Sequence, residues 1–188
     1  MIAMDGDYLG VKWFMCKINE IAQLGHPVLR QQAKKVELDG IDKVADIIEE
    51  LQFTLSQSNG VGLAAPQIFQ SVAIIIIASK PSPRYPLAPQ MQPVLMINPE
   101  YEALSEEINK DWEGCLSIPG IRALVPRYVK IRITYMDQQG VQQELLADDF
   151  IARVFQHEYD HLNGLVYLDR VEDNRDIISE VEFHKMMD

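Results

Sequence analysis

The sequence is poor in cysteine, with two in 188 residues, Cys16 and Cys115. That is too few for a disulfide framework and fits a reducing compartment. It has no long apolar run. The longest, Val72 to Ala78, falls far short of the ~20 residues with which a helix spans a bilayer. It shows neither the basic start, apolar stretch and small-residue cleavage site of a secretory signal nor the arginine-rich character of an organelle transit peptide. A cytoplasmic protein is expected. Basic residues are also scarce. Seventeen Lys and Arg against 28 Asp and Glu leave a net charge of −11. This argues against direct nucleic-acid binding, which needs a basic face to displace phosphate counterions. There is no internal repeat and no low-complexity tract. What remains is an ordinary globular composition, 47% apolar and 24% charged, long enough for one domain with its own core.

Between Lys43 and Ser58 the apolar residues Val44, Ile47, Ile48, Leu51 and Leu55 recur at helical spacing, with Asp42 as a candidate N-cap and Asn59-Gly60 as a stop. Val72 to Ala78 and Val94 to Asn98 read as buried strands. Lys80 to Pro93, with five of the ten prolines, reads as a loop. Val129, Ile131, Ile133 and Tyr135 alternate with polar residues and lead through Asp137 to Gly140 into Val141 to Leu146, a hairpin. A second helix runs from Asp148 to Asn163, with Asp148 or Asp149 as cap. A short one is expected over Ile177 to Met187. Strand runs with separated helices predict an α+β domain.

The strongest chemical signal is His157-Glu158-Tyr159-Asp160-His161 inside the second helix. Residues four apart leave the same helix face, and Phe150 and Val154 continue that face inward. Two imidazoles on one buried stripe can hold one metal ion, and Glu158 can reach a water bound to it. A catalytic site needs a third ligand and an open position. Downstream candidates are Glu172, Glu180, Glu182 and His184. The upstream candidate is Cys115 in Glu113-Gly114-Cys115-Leu116-Ser117, where a thiolate beside two imidazoles suits zinc or ferrous iron. Gly114 and Pro119-Gly120 predict a tight loop rather than a core strand at Cys115. Gly60-Val61-Gly62-Leu63-Ala64-Ala65-Pro66-Gln67 lacks the strand, helix and lysine of a phosphate cradle, and Gln67 would need amide partners if buried.

Taken together and in this order, Gly60–Gln67, Glu113–Ser117 and Gln156–His161 resemble the three signature motifs of the peptide deformylase family. Leu24–Arg30, Ile118–Arg127 and Leu162–Arg170 are similar to family sequence as well, and the first of these supports Met15 as a natural start. The resemblance implies a single α+β domain over residues 15–170, with antiparallel or mixed sheets packed around a central helix that carries the HExxH metal motif. Residues 1–14 would be an N-terminal extension and 171–188 an acidic C-terminal tail.

The same resemblance implies removal of the N-formyl group from the initiator methionine of nascent polypeptides, with release of formate. Cys115, His157 and His161 would bind one divalent metal, ferrous iron in the cell, with zinc, nickel or cobalt accepted. Metal-activated water would be the nucleophile, Glu158 the general acid/base, and Gln67 with the backbone N–H of Leu116 the oxyanion donors. Val61, Leu116, Val154 and His157 would lie near the methionine side chain. Gly62 and Gly114 could pair with the peptide backbone, and Arg122 would lie near the substrate unless it is a plain surface charge. Glu113 and Asp160 are candidates to orient the histidines or a neighbouring arginine. The segment 169–188 carries seven acidic and three basic residues, so ribosome proximity would not come from a basic tail. Two competing readings are a zinc endopeptidase with a downstream carboxylate ligand and a catalytically silent metal or peptide-binding domain.

Overall fold

Four consecutive isoleucines, Ile74–Ile77, are all buried, and the architecture explains why no polar residue interrupts them. Successive side chains of a strand point to opposite faces of its sheet. Ile74 and Ile76 enter one core with Val44, just before the first helix, and with Ile48, Leu51 and Leu55 of that helix. Ile75 and Ile77 enter a second core with Ala152, Val154, Phe155 and Leu162 of the second helix. The strand is therefore covered on both sides.

The computed structural model describes residues 20–81, 85 and 88–187. The expectations for residues 1–14, Met15 and Cys16 lie outside them. Strands β1 (Gly62–Ala64), β2 (Ile74–Ile77), β3 (Val94–Ala103), β6 (Lys130–Met136) and β7 (Gln142–Asp148) form a five-stranded sheet in the order β1-β2-β3-β6-β7. Strands β4 (Ile108–Cys115), β5 (Ile118–Tyr128) and β8 (Ile177–Ser179) form a three-stranded sheet in the order β4-β5-β8. All strand pairs are antiparallel. Helix α1 is Ala45–Ser56, α2 is Asp149–Leu162 and α3 is Glu180–Met187. Helix α2 packs against both sheets, touching β1, β2, β6 and β7 of one and β5 of the other. No helix among the described residues is long and apolar enough to cross a membrane.

Several boundaries differ from the sequence pattern. Helix α1 begins at Ala45 with Val44 in the N-cap position, because Asp42–Val44 winds as a tighter 3-10 turn. Asp148 occupies the N-cap position of α2, but its side chain makes no capping hydrogen bond. Strand β3 does not stop at Asn98. It bulges there, with Asn98 at φ 50° and its side-chain amide clasping both backbone groups of Val36 at 2.8 and 2.7 Å. Cys115 ends strand β4, and the turn follows at once, since Cys115 pairs with Ile118 across it. The loop expected around Cys115 is thus only the two residues between these strands. The C-terminal segment is not helical throughout: Ile177–Ser179 first joins β5 as an edge strand. At the end of α2, Gly164 (φ 70°) has no room for a side chain, because a Cβ would meet the Arg30 carbonyl carbon at 2.8 Å.

Candidate metal centre and its surroundings

The two sheets turn an edge strand each toward the same cleft, β1 from the larger and β4 from the smaller. Gly60, Val61 and Gly62 line it on one side, and Trp112 through Leu116 on the other. Helix α2 forms the floor with Phe150, Val154, His157 and Glu158. Cys115, His157 and His161 meet there: one ligand atom from each lies within 4.8 Å of the others, and all three residues are buried. Cys115 Sγ is 3.3 Å from His161 Nε2.

The environment prepares these donors. Burial alone would raise the Cys115 thiol, but His161 and His157 beside it hold it well below the ordinary thiol range. His157 Nδ1 lies 2.8 Å from Glu113 Oε2, which fixes the ring and turns Nε2 toward the sulfur. Tyr167 stacks on the same ring at 5.7 Å. A thiol held low and two imidazoles, gathered in a buried site beside the cleft, fit a divalent metal. The downstream alternatives do not converge. Glu172 faces Lys110, Glu180 grips Arg122 and Glu182 pairs with Lys185. Cys115, His157 and His161 form the metal-ligating group found among the described residues.

Glu158 lies beside this group, 4% exposed, and its Oε2 has no hydrogen-bond partner among the described residues. Burial pushes its carboxyl up to about 7, against the pull of His157 and His161. It packs on bare backbone: a Cβ on Gly62 would stand 2.5 Å from Glu158 Oε1. Gln67 is 2% exposed, in a 3-10 turn after β1. Its Oε1 accepts from Ala64 N–H at 2.9 Å, so its amide N–H groups point into the site, toward Cys115 Sγ at 3.4 Å and Ser117 Oγ at 3.2 Å. Val61, Gly62, Gly114, Leu116 and Val154 line the same cleft. Arg122 does not. It is 1% exposed rather than a surface charge, and it lines an adjoining cavity.

Sequence reasoning missed the arginines beneath the site. Arg127 donates to Glu113 through Nε (2.9 Å) and Nη2 (3.0 Å), and to Asp160 through Nη1 (2.6 Å). Arg153 Nη1 reaches Glu113 at 2.9 Å and the Val125 carbonyl at 2.7 Å. Glu113 therefore serves His157 and two arginines, and Asp160 joins Arg127 to Arg170. Burial would raise Glu113, but Arg127 and His157 hold it well below the carboxylate range. For Arg153 a signal existed: it stands four residues before His157, on the same helical stripe.

A family profile for polypeptide deformylase matches residues 18–176. Peptide deformylase 2 of Nostoc sp. is 48% identical over 167 residues, 89% of this chain and 93% of the relative. Peptide deformylase 1 of Nitrosomonas europaea is 42% identical, covering 84% of this chain and 90% of its own. Among solved structures, the Met-Ala-Ser-bound class I type b peptide deformylase of Acinetobacter baumannii superposes with a TM-score of 0.80 at 38% identity, over 84% of this chain and all of that one. The actinonin complex of a Synechococcus elongatus peptide deformylase gives 0.73 at 34% identity, over 94% of this chain and 90% of that one. With these matches and its Cys-His-His centre, the chain belongs to the polypeptide deformylase family, the metallo-hydrolases that remove the formyl group from the initiator methionine of nascent peptides.

Proposed function

We propose that Cys115, His157 and His161 hold one divalent cation and that Glu158, Gln67 and Leu116 carry out formyl hydrolysis beside it. The observation that supports this most is the meeting of the three ligand atoms within 4.8 Å next to a buried carboxylate with an unpaired oxygen. The bound cation supplies Lewis acidity, which lowers the pKa of water and polarises a carbonyl. Glu158, raised by burial, takes the proton of the attacking water and passes it to the leaving amine, which departs poorly without one. Gln67 Nε2 and the Leu116 backbone N–H donate to the oxygen that becomes negative as the formyl carbon turns tetrahedral. A formyl group has hydrogen where acetyl has methyl, so the close walls at Gly62 and Glu158 admit the first and exclude the second. Val61, Leu116, Val154 and His157 surround the methionine side chain, while Gly62 and Gly114 offer backbone to the peptide.

The sulfur and nitrogen donors suit ferrous iron in the cell, with zinc, nickel or cobalt as replacements. The substrate is met in the cytoplasm on nascent chains, and any closeness to the ribosome is not made by the acidic segment 169–188. The test is anaerobic metal loading followed by assay on formyl-Met-Ala-Ser and acetyl-Met-Ala-Ser. Formate from the first and no acetate from the second is the expected result. Cys115→Ala should lose the metal and the activity together. Retention of both, with loss on changing Glu180 or Glu182, would favour the endopeptidase reading. Gln67→Leu is expected to keep its metal and lose about 10²–10³ in kcat, the usual cost of one oxyanion donor.

A further inference from the structure

The family match ends at residue 176, but the chain continues into β8 and α3, and both reach back toward the site. Strand β8 pairs with β5 through Ile121↔Ser179, Arg122↔Ile178 and Ala123↔Ile177, which fixes where α3 starts. From α3, Glu180 Oε1 accepts from Arg122 Nε at 3.1 Å and Nη2 at 2.7 Å. The Phe183 ring lies 5.1 Å from the Arg122 guanidinium carbon and meets Trp112 edge to face at 5.7 Å. Arg122 also touches Tyr85, with the ring at 5.8 Å and the hydroxyl 3.4 Å from Nη1. Tyr85 in turn meets Phe150 edge to face at 5.4 Å.

Tyr85, Trp112 and Phe150 line the cleft that holds Glu158, whereas Arg122 and Phe183 lie behind them. One route runs from Phe183 to Trp112. The other runs from Glu180 and Phe183 through Arg122 to Tyr85 and Phe150. Tyr85 sits in no helix or strand, so side-chain contacts of this kind decide where its ring stands. Arg122, at 1% exposure, is a buried cation whose place depends on the carboxylate and rings around it.

We propose that Arg122 and Phe183 are positioning residues through which α3 sets the outer wall of the side-chain pocket, and with it the choice of the substrate's first residue. This rests on the reading of that cleft as the methionine pocket. A wall held from behind stays narrow, admitting an unbranched thioether and refusing wider side chains. Without the Phe183 ring, Trp112 and Arg122 lose a partner and the wall gives.

The test compares wild type with Phe183→Ala, Glu180→Gln and Phe183→Tyr on formyl-Met-Ala-Ser and formyl-Phe-Ala-Ser. Phe183→Ala is expected to raise KM for the methionine peptide about threefold to tenfold, the size of a lost aromatic contact, with kcat nearly unchanged. Its preference for methionine over phenylalanine should fall, and Phe183→Tyr should restore both. Phe183 is only partly buried and belongs to none of the core clusters, so folding should survive; thermal unfolding and metal content check this. Unchanged KM and preference in both Phe183→Ala and Glu180→Gln overturn the proposal. So does a drop in kcat alone that follows loss of folded protein. Calorimetric binding of the product peptide Met-Ala-Ser separates the two layers. Wild type that binds it no better than buffer defeats the functional reading itself, whereas equal binding by wild type and Phe183→Ala defeats only the role of α3.

Discussion

Glu158→Gln is expected to retain its metal and lose about 10²–10⁴ in kcat/KM, the range for removing a positioned general acid/base. The shape of the residue is kept, and only proton transfer is lost. The wild-type pH profile carries a related signature. Burial lifts Glu158 from 4.5 to about 7, while a bound cation favours the carboxylate and brings it down again. The acid limb of kcat/KM should therefore fall between 4.5 and about 7, and it should vanish in Glu158→Gln. Stability of the metal-free protein gives the opposite slope. In that pH window the folded chain keeps a proton that the unfolded chain has released, so stability declines as pH rises through it. Melting curves in chelator across this range should show the decline in wild type and a flatter response in Glu158→Gln. Near-normal turnover in the variant would remove Glu158 from the proposed mechanism.

Arg127→Met is expected to cost about 3–5 kcal/mol, because it leaves Glu113 and Asp160 as buried charges without their shared partner. Both carboxylates are almost wholly buried, at 4% and 2% exposure. Metal affinity should fall as well, by about 10–100-fold, since Glu113 is what holds the His157 ring. Arg170→Met is the contrast. Arg170 pairs with the same Asp160 from a half-exposed position, and its loss should cost about 0–1 kcal/mol. Urea unfolding and chelator competition read the two quantities separately. Acid unfolding adds a third measure. Arg127 and His157 keep Glu113 ionised far below its ordinary pKa of 4.5, so this stabilisation is present above that pH and disappears only as pH falls through the depressed value. In Arg127→Met the acid transition should move to higher pH.

The HExxH helix and the hairpin of β6 and β7 were legible because their patterns are periodic and locally complete. From spacing alone Cys115 was one of two routes to a third ligand, since it meets the histidines through tertiary pairing of distant segments; only the family resemblance singled it out. Strands β4 and β5 escaped notice: Gly114, Pro119, Gly120 and Pro126 interrupt their alternation, and much of β4 is exposed. Arg127 and Arg153 went unnamed for another reason, and Arg122, singled out as a substrate neighbour or a surface charge, proved to be buried in an adjoining cavity. Arginine rarely enters a core; Glu113 and Asp160 were read as partners for a neighbouring arginine, but which arginine they meet, and that Glu180 meets Arg122, follows only from the fold. The segment after residue 170 had the composition of an acidic tail with a short helix over Ile177 to Met187, and the strand that precedes that helix was not legible. That strand pairs with β5, and the helix meets Arg122 and Trp112, partners far away in sequence.

Gly62 permits no side chain against Glu158, and it sits in an edge strand that faces another edge strand across the cleft. Main-chain amides and carbonyls are the same in every polypeptide. In the proposed reading, a catalyst that accepts the start of many different nascent chains gains from gripping what all of them share, and these two borders, which pair with no further strand among the described residues, would offer a hold that is indifferent to what comes after the first residue.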